Sequence, residues 1–310
     1  MDAIVIDRLT KTYTPAWPWQ KPTTVLSEVS LSVAQGEIFG FLGHNGAGKT
    51  TTMKILLGLL RATSGRVELL GSPTENVAVR SRIGYLPESP YFYDYLTAEE
   101  FLCFYGRLAG LARETIQKRI IELLERVSLT EARHRQLRKF SKGMLQRIGL
   151  AQALIHDPEL VILDEPMSGL DPSGRKEVRD LILGLRDQGK TVFFSTHIIS
   201  DVEMICDRVG ILARGKMLAL GRIEDLVNEH EARSVEVVCD GVVGDELPDV
   251  KRLATRILQR GDRCLIVLSG QEHLEQVLAV LRQAKGKLVS VIPHKGSLEE
   301  IFLEQTSQKV

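Results

Sequence analysis

The sequence predicts an α/β fold in which a mostly parallel, doubly wound sheet carries an inserted helical subdomain and precedes a small α+β domain. Short β-like runs alternate with helical patterns from Ile4 to about Arg214, as in sheets with helices on both faces. The β signal disappears between Leu96 and about Ile155, and the pattern changes again after about residue 230. We therefore predict a main domain at residues 1–230, with its helical subdomain at about 96–155, and an accessory α+β domain at 231–310.

Local patterns support each predicted element. Thr97 and Glu100 have the spacing of a capping box, so a helix is expected to begin there. The tract from Thr14 to Thr24 has three prolines and predicts an irregular loop, whose two tryptophans either pack on the body or contact a partner or membrane. The predicted strand–helix pairs are "EIFGFLG" with "TTTMKILLGLL", "LVILDEP" with "RKEVRDLILGLRDQG", and "TVFFSTH" with "ISDVEMIC". In the accessory domain, "SVEVVCD", "RCLIVLSG" and "KLVSVI" predict strands and "HLEQVLAVLRQA" predicts a helix.

Bulk composition argues against several classes of protein. The 310 residues include 40 basic and 40 acidic side chains, so no global field attracts nucleic acid or anionic lipid. The four cysteines are widely spaced and are interpreted as free thiols, not as disulfides or zinc ligands. No apolar run approaches the roughly 18–20 residues of a membrane span, and acidic residues interrupt the apolar N-terminal stretch. If the protein works at a membrane, we expect another chain to supply the span.

The tract "GHNGAGKTT", from Gly43 to Thr51, matches G-x-x-x-x-G-K-[ST] between a predicted strand and a predicted helix. Glycines let backbone N–H groups converge on phosphate oxygens, and the helix N-terminus adds partial positive charge. Lys49 is expected to reach the β- and γ-phosphates, and the Thr50 hydroxyl to coordinate Mg²⁺. The predicted nucleotide contacts are Gly43, Asn45, Gly46, Ala47, Gly48, Lys49, Thr50 and Thr51.

Two carboxylates, Asp164 and Glu165, end the apolar strand "LVILDEP". In a doubly wound sheet this position lies beside the phosphate loop. Asp164 fits a carboxylate on the Mg²⁺ side, and Glu165 can polarise a water for in-line attack on the γ-phosphate. His197 ends another strand, where it is either structural or a donor to the γ-phosphate. Tyr13 is either a core aromatic or a stacking platform for a purine base.

With these residues placed, the chain from about Ile4 to Leu226 strongly resembles the nucleotide-binding subunit of an ATP-binding cassette (ABC) transporter. The resemblance implies a P-loop NTPase fold with an N-terminal antiparallel β part, Tyr13 stacked on adenine and His197 as the switch histidine. It also identifies "FSKGM" as the signature sequence and "SGLD" as the loop that crosses between subunits. The residues that would meet the nucleotide of a second subunit are Ser141, Gly143 and Asp171.

Two positions depart from the family pattern. Glu88 stands where most relatives have a glutamine that helps to hold Mg²⁺ and water; a carboxylate can bind the metal but cannot donate as an amide does. Family members usually read L-S-G-G-Q, and here Lys142 replaces the first glycine and Met144 replaces the glutamine, while Ser141 and Gly143 are kept. This S-K-G-M form, and the tail "GSLEEIFLEQT" from Gly296 to Thr306, are similar to exporter-type ATPases paired with ABC-2 permeases.

The resemblance implies an ATPase that binds ATP and Mg²⁺, dimerises with a second copy or a homologous cassette, and drives integral membrane permease subunits, with export favoured. Such a chain would be cytoplasmic and peripheral on the inner face of the membrane. One alternative is a soluble ABC-type ATPase acting on ribosomes or DNA, which the zero net charge disfavours. The other is a regulatory protein that binds nucleotide without turnover, which Glu165 disfavours. The transported substrate cannot be predicted, because membrane subunits normally select it.

Overall fold

The computed structural model describes residues 1–14, 17, 19, 21–229, 234–243, 247–268, 271–294 and 298–299. Contacts divide the chain into two compact units, Met1–Ile223 and Glu224–Val310. The boundary predicted between residues 230 and 231 lies outside the described residues. Also outside them are four residues of the proline-rich loop, at positions 15, 16, 18 and 20, and most of the predicted tail from Gly296 to Thr306.

The first unit contains two sheets, and the parallel one carries the candidate site. Its strands β9, β3, β8, β7 and β6 are neighbours in this order and run parallel, and β10 pairs antiparallel with β9. Every residue of β3, β7 and β8 is buried, which explains why each strand contains consecutive apolar residues. The strands of this unit are β1 (Asp2–Tyr13), β2 (Thr23–Ala34), β3 (Ile38–Leu42), β4 (Ser64–Leu69), β5 (Ser72–Pro73), β6 (Ile83–Leu86), β7 (Leu160–Asp164), β8 (Thr191–Thr196), β9 (Arg208–Ala213) and β10 (Lys216–Arg222).

The other sheet of the first unit is antiparallel, in the order β2, β1, β4, β5, and it confirms the expected N-terminal antiparallel β part. The proline-rich loop joins β1 to β2. Its tryptophans, Trp17 and Trp19, stack on each other with ring centroids 5.1 Å apart. They are 57% and 76% exposed, so neither is packed into the body of the protein.

Helices surround the parallel sheet, and three of them form the predicted helical subdomain between β6 and β7. The helices of this unit are α1 (Lys49–Leu56), α2 (Val77–Arg80), α3 (Ala98–Leu108), α4 (Arg113–Arg126), α5 (Lys142–Leu154), α6 (Pro172–Asp187) and α7 (Ile199–Ile205); α8 (Ile223–Glu229) spans the boundary of the units. Helix α3 begins with the predicted capping box: Thr97 Oγ1 accepts from Glu100 N–H at 3.2 Å, and the Glu100 carboxylate accepts from Thr97 N–H at 2.8 Å. The predicted fold class is thereby confirmed for this unit.

The second unit folds around its own small core. Its elements in chain order are β11 (Ser234–Asp240), α9 (Pro248–Leu253), β12 (Ala254–Arg260), β13 (Arg263–Leu268), α10 (Leu274–Gln283) and β14 (Lys287–His294). The strands pair antiparallel in the order β12, β13, β11, β14, which is the split βαβ arrangement. Val237, Ile266, Val277 and Leu281 are among the residues of this core. The unit is therefore α+β, as the sequence predicts.

Within the described residues, the structure has no helix whose length and apolar character would allow it to cross a membrane.

Candidate nucleotide site

The loop after β3 turns tightly because glycine occupies two crowded positions. A Cβ at Gly43 would lie 2.5 Å from Leu212 O, and a Cβ at Gly48, where φ is +112°, would lie 2.6 Å from Leu26 Cδ2. Gly48 is the N-cap of α1, so the helix begins at Lys49 with N–H groups that have no intrahelical acceptor. The loop is therefore a concave backbone surface that ends at a helix N-terminus, which favours an anion.

A cavity of about 350 Å³ opens over this loop and is called here the phosphate cavity. The predicted nucleotide residues Gly43 and Ala47 belong to the same loop without lining the cavity, and the predicted metal residue Asp164 immediately precedes a lining residue. Val25 and His44 line it although the sequence did not single them out. The predicted residues that line it are Asn45, Gly46, Gly48, Lys49, Thr50, Thr51, Glu88 and Glu165.

Lys49 is held at the floor of the phosphate cavity. Its ammonium donates to Gly43 O at 2.6 Å and to His44 O at 3.4 Å. It also lies 3.2 Å from Glu165 Oε1, an ion-pair contact without hydrogen-bond geometry, since that oxygen has no hydrogen-bond partner among the described residues. Both side chains are 6% exposed, so their charges are only weakly screened by water.

Asp164 and Glu165 are linked through a serine of the neighbouring strand. Asp164 lies opposite Ser195 in the pairing of β7 with β8. The Ser195 hydroxyl donates to Asp164 Oδ1 at 2.6 Å and accepts from Glu165 N–H at 3.0 Å. Asp164 Oδ2 is buried and has no hydrogen-bond partner among the described residues. Burial, together with the negative charge of Asp164, raises the pKa of Tyr85 to about 12.

His197 contacts the site through Glu165. Its Nδ1 lies 2.9 Å from Glu165 Oε2, and its side chain is 42% exposed. Glu165 itself has φ of +50°, a left-handed backbone conformation that few non-glycine residues adopt. The two oxygens of Glu165 therefore face different partners, Lys49 on one side and His197 on the other.

Tyr13 is not among the residues that line the phosphate cavity. It pairs with Thr23 across β1 and β2, two residues before the lining residue Val25. Its side chain is 44% exposed, which rules out a core aromatic, and the Lys11 ammonium lies 4.9 Å from its ring centroid. The exposed part of the ring is therefore available for stacking.

The remaining predicted residues, Ser141, Gly143 and Asp171, line a second cavity of about 460 Å³, called here the helix-start cavity. Ser141 is the N-cap of α5 and accepts from Met144 N–H at 3.3 Å. Asp171 is the N-cap of α6 and accepts from Gly174 N–H at 3.1 Å. No described residue lines both cavities, so one chain does not bring the two predicted groups together.

Sequence reasoning missed Ser195, although the tract "FFSTH" contains it. Its importance follows from strand order: β8 lies beside β7, so the serine at the end of β8 reaches the acids at the end of β7. Sequence reasoning also missed Gln146, a buried residue of α5 whose Nε2 donates to Pro166 O at 2.9 Å. It thereby ties α5 to the segment that follows Glu165.

Comparison with known proteins agrees with this geometry. Residues 26–168 match the family model described as ABC transporter. The uncharacterised ABC transporter ATP-binding protein sll0415 of Synechocystis is 45% identical over 305 residues, which span 97% of this chain and 84% of that relative. This chain belongs to the ABC transporter ATP-binding proteins.

A second ABC relative has a named role, and a solved ABC structure shares the fold. The linearmycin resistance ATP-binding protein LnrL of Bacillus subtilis is 34% identical over 293 residues, covering 92% of this chain and 94% of LnrL. The dimeric post-hydrolysis state of the ATP-binding cassette MJ0796 bound to ADP and Pi superposes with a TM-score of 0.65 at 25% identity, covering 71% of this chain and 98% of that one. The present chain is therefore an ABC ATPase, the ATP-binding subunit of a transporter.

Proposed function

We propose that two copies of this chain close around two molecules of ATP and Mg²⁺ and that their hydrolysis drives a separate membrane permease, most simply as an exporter. The observation that carries the proposal is the separation of the two cavities. Residues suited to phosphates line one cavity, and Ser141, Gly143 and Asp171 line the other. A second copy would supply to each phosphate cavity the groups that a single chain keeps apart, as in a symmetric dimer with an isologous interface.

In this proposal, Lys49 and Glu165 change partners when ATP binds. Without nucleotide, the Lys49 ammonium contacts Gly43 O and Glu165. The phosphate oxygens of ATP compete for this ammonium, so Lys49 moves onto the β- and γ-phosphates and Glu165 is released. Glu165 then accepts a proton from the water that attacks the γ-phosphate, while His197 donates to the phosphate and orients the carboxylate.

The residues near the loop also fit Mg²⁺. Asp164 Oδ2 is buried without a hydrogen-bond partner among the described residues, and such an oxygen suits a hard cation. Thr50 and Glu88 line the phosphate cavity and would add oxygen ligands. No group of three or more His, Cys, Asp or Glu in the described part of the chain could hold a metal alone, so nucleotide phosphates would complete the coordination. When bound, the cation would neutralise charge on the phosphates.

An exposed aromatic surface beside Glu88 supports the permease partner. Tyr91 and Tyr95 are 82% and 61% exposed, and the rings of both contact Tyr93, which also contacts Phe104 of α3. Exposed apolar side chains in one area often mark a protein–protein interface. Because Glu88 lines the phosphate cavity only three residues before Tyr91, a permease bound here would sense the nucleotide. Such binding would hold the chain on the cytoplasmic face of the membrane.

Two observations support export: the name of one relative, and the form of the signature sequence in this chain. LnrL is named as a linearmycin resistance protein, and the S-K-G-M form resembles exporter-type ATPases. The test of direction is reconstitution with a candidate permease in inside-out vesicles, where ATP added outside should drive substrate into the lumen. Movement of substrate out of the lumen would contradict export.

Dimerisation and catalysis are tested with Glu165→Gln. The variant should bind ATP, form a dimer at saturating ATP–Mg²⁺ by light scattering, and hydrolyse ATP at least about 100-fold more slowly. Glu159→Gln is the matched control, because Glu159 is an exposed carboxylate just before β7 that pairs with Arg82 at 2.6 Å. The control should behave as wild type. A Glu165→Gln chain that stays monomeric with ATP, or that hydrolyses ATP at the wild-type rate, would refute the proposal.

A further inference from the structure

The first turn of α5 touches the loop from Ser168 to Asp171 at two points. A Cβ at Gly143 would lie 3.5 Å from Leu170 Cδ2, which is an ordinary van der Waals distance. A Cβ at Gly169 would meet Lys142 Nζ first, and it would lie 2.8 Å from Lys142 Cε and 3.4 Å from Lys142 Cδ. The Lys142 side chain therefore occupies the space that any side chain at position 169 would need.

Gly169 has two separate reasons to be glycine. Its φ is +69°, in the left-handed region where a Cβ is strained, and the end of the Lys142 side chain lies directly over it. Lys142 is exposed, and its ammonium has neither a hydrogen-bond acceptor nor an ion-pair partner among the described residues. The contact with Gly169 is therefore made by the end of the Lys142 side chain, Nζ together with Cε, while the residue as a whole stays exposed.

We infer that Lys142 is a positioning residue that holds the 168–171 loop against the start of α5. Ser141, directly before Lys142, caps α5, and Asp171, two residues after Gly169, caps α6. The Lys142 side chain thus connects the two segments that line the helix-start cavity, so that Ser141 and Asp171 approach a nucleotide together. This role rests on the proposed function, because only a dimer would bring these two residues to ATP.

The stem and the charge of Lys142 can be tested separately. Lys142→Ala removes both and should lower kcat by about threefold to tenfold, less than the roughly 100-fold that a 1 Å misplacement can cause. The affinity of the nucleotide-free monomer for ATP should stay unchanged. Lys142→Met keeps an unbranched stem without charge and should restore most of kcat. Lys139→Ala, at another exposed lysine just before Phe140, is the control and should match wild type.

A double-variant cycle tests the contact itself. Gly169→Ala should lower kcat through both the clash with Lys142 and the strain at positive φ. Adding Lys142→Ala removes the clash but leaves the strain, so the double variant should be about two- to fivefold more active than Gly169→Ala alone. Losses that simply multiply would overturn the inference.

Hydrogen exchange gives a readout that does not need dimerisation. In the nucleotide-free monomer, Lys142→Ala should speed amide exchange in residues 168–171, and Lys142→Met should not. Unchanged exchange and kcat in Lys142→Ala, or a Met variant as impaired as the Ala variant, would contradict a positioning stem. A wild-type chain that neither dimerises nor hydrolyses ATP would instead contradict the proposed function, and the exchange result would still decide the contact.

Discussion

The ammonium of Lys49 lies 3.2 Å from a carboxylate oxygen of Glu165, and both side chains are 6% exposed. His197 contacts the other oxygen of the same carboxylate at 2.9 Å. The residue suited to phosphate and the residue suited to water are therefore paired with each other in the nucleotide-free chain. Buried pairs of this kind cost several kcal/mol to break when one partner is removed, because the remaining charge stays desolvated.

Lys49→Ala should weaken both nucleotide binding and the fold. ATP affinity should fall about 10- to 100-fold, or about 1.4–2.8 kcal/mol, because the phosphates lose their cation. The free energy of unfolding should fall by about 3 kcal/mol, since Glu165 keeps only His197 as a partner. Calorimetric titration and chemical denaturation measure the two effects. Lys54→Ala, at an exposed lysine of the same helix, is the control; unchanged ATP affinity in Lys49→Ala would reject the assignment.

Ser195→Ala should damage stability and catalysis together. The substitution leaves Asp164 Oδ1 and Glu165 N–H buried without their partner, at about 1–3 kcal/mol for each orphaned group. The value of kcat should fall about tenfold, because the acids lose a fixed relative position. Ser200→Ala, on the exposed side of α7, serves as the control for stability and rate. A Ser195→Ala chain as stable as wild type would show that water replaces the hydroxyl.

Ser141→Arg should leave ATP binding to the monomer intact but prevent closure of the dimer. Ser141 is exposed and lines the helix-start cavity, away from the phosphate cavity of its own chain. ATP binding to the monomer should therefore persist, while ATP-dependent dimerisation and hydrolysis are lost. Loss of the N-cap should lower the free energy of unfolding by only about 1 kcal/mol. Ser81→Arg, at an exposed serine after α2, controls for the added bulk and charge, and full hydrolysis by Ser141→Arg would contradict the dimer model.

His156 predicts a pH dependence of stability. The pKa of His156 is lowered mainly by burial, and the positive charges of Arg119 and Lys190 lower it further. The hydrogen bond with the Ile83 carbonyl and the negative charge of Asp157 oppose this shift without cancelling it. In the unfolded chain this histidine has a pKa of about 6.5, so the unfolded chain binds more protons than the folded chain at acidic pH. The contribution of His156 to the free energy of unfolding should therefore fall as the pH drops below about 6.5. It should level off once the pH is below the pKa of His156 in the folded chain.

The variant His156→Gln isolates this effect, because its amide can still donate to Ile83 O. In this variant the free energy of unfolding should fall less between about pH 7 and pH 5 than it does in the wild type. Denaturant titration at each pH measures it. His134→Gln is the control, since the His134 side chain is 79% exposed. An unaltered slope in His156→Gln would assign the acid sensitivity to other groups.

The phosphate loop and the acidic strand end were predictable because motif spacing carries geometric information. The carboxyl ends of parallel strands meet at one edge of a sheet, so Gly43 after β3 and Asp164 at the end of β7 were expected at the same edge. Ser195 was not predictable in the same way. Its hydrogen bonds depend on β8 being the immediate neighbour of β7, and residue type alone does not specify strand order.

Other features depend on contacts between segments that are distant in the sequence, and local sequence patterns do not predict such contacts. Tyr13 matched both a core aromatic and a stacking residue, and only its 44% exposure excludes the core. The contact of Lys142 with Gly169 requires α5 and the loop before α6 to be adjacent. The sequence predicted an α+β second unit from its strand and helix runs, but the strand order β12, β13, β11, β14 follows from pairing that local patterns do not encode.

Trp17 and Trp19 are the two tryptophans of the whole chain, and both belong to the loop between β1 and β2. Intrinsic indole emission is therefore a built-in optical probe of that single loop, read without any attached dye. The stacked, exposed rings should report events in the loop that follows Tyr13 and remain nearly silent to changes in the hydrophobic cores. Unfolding of this protein is thus better followed by far-ultraviolet circular dichroism than by fluorescence.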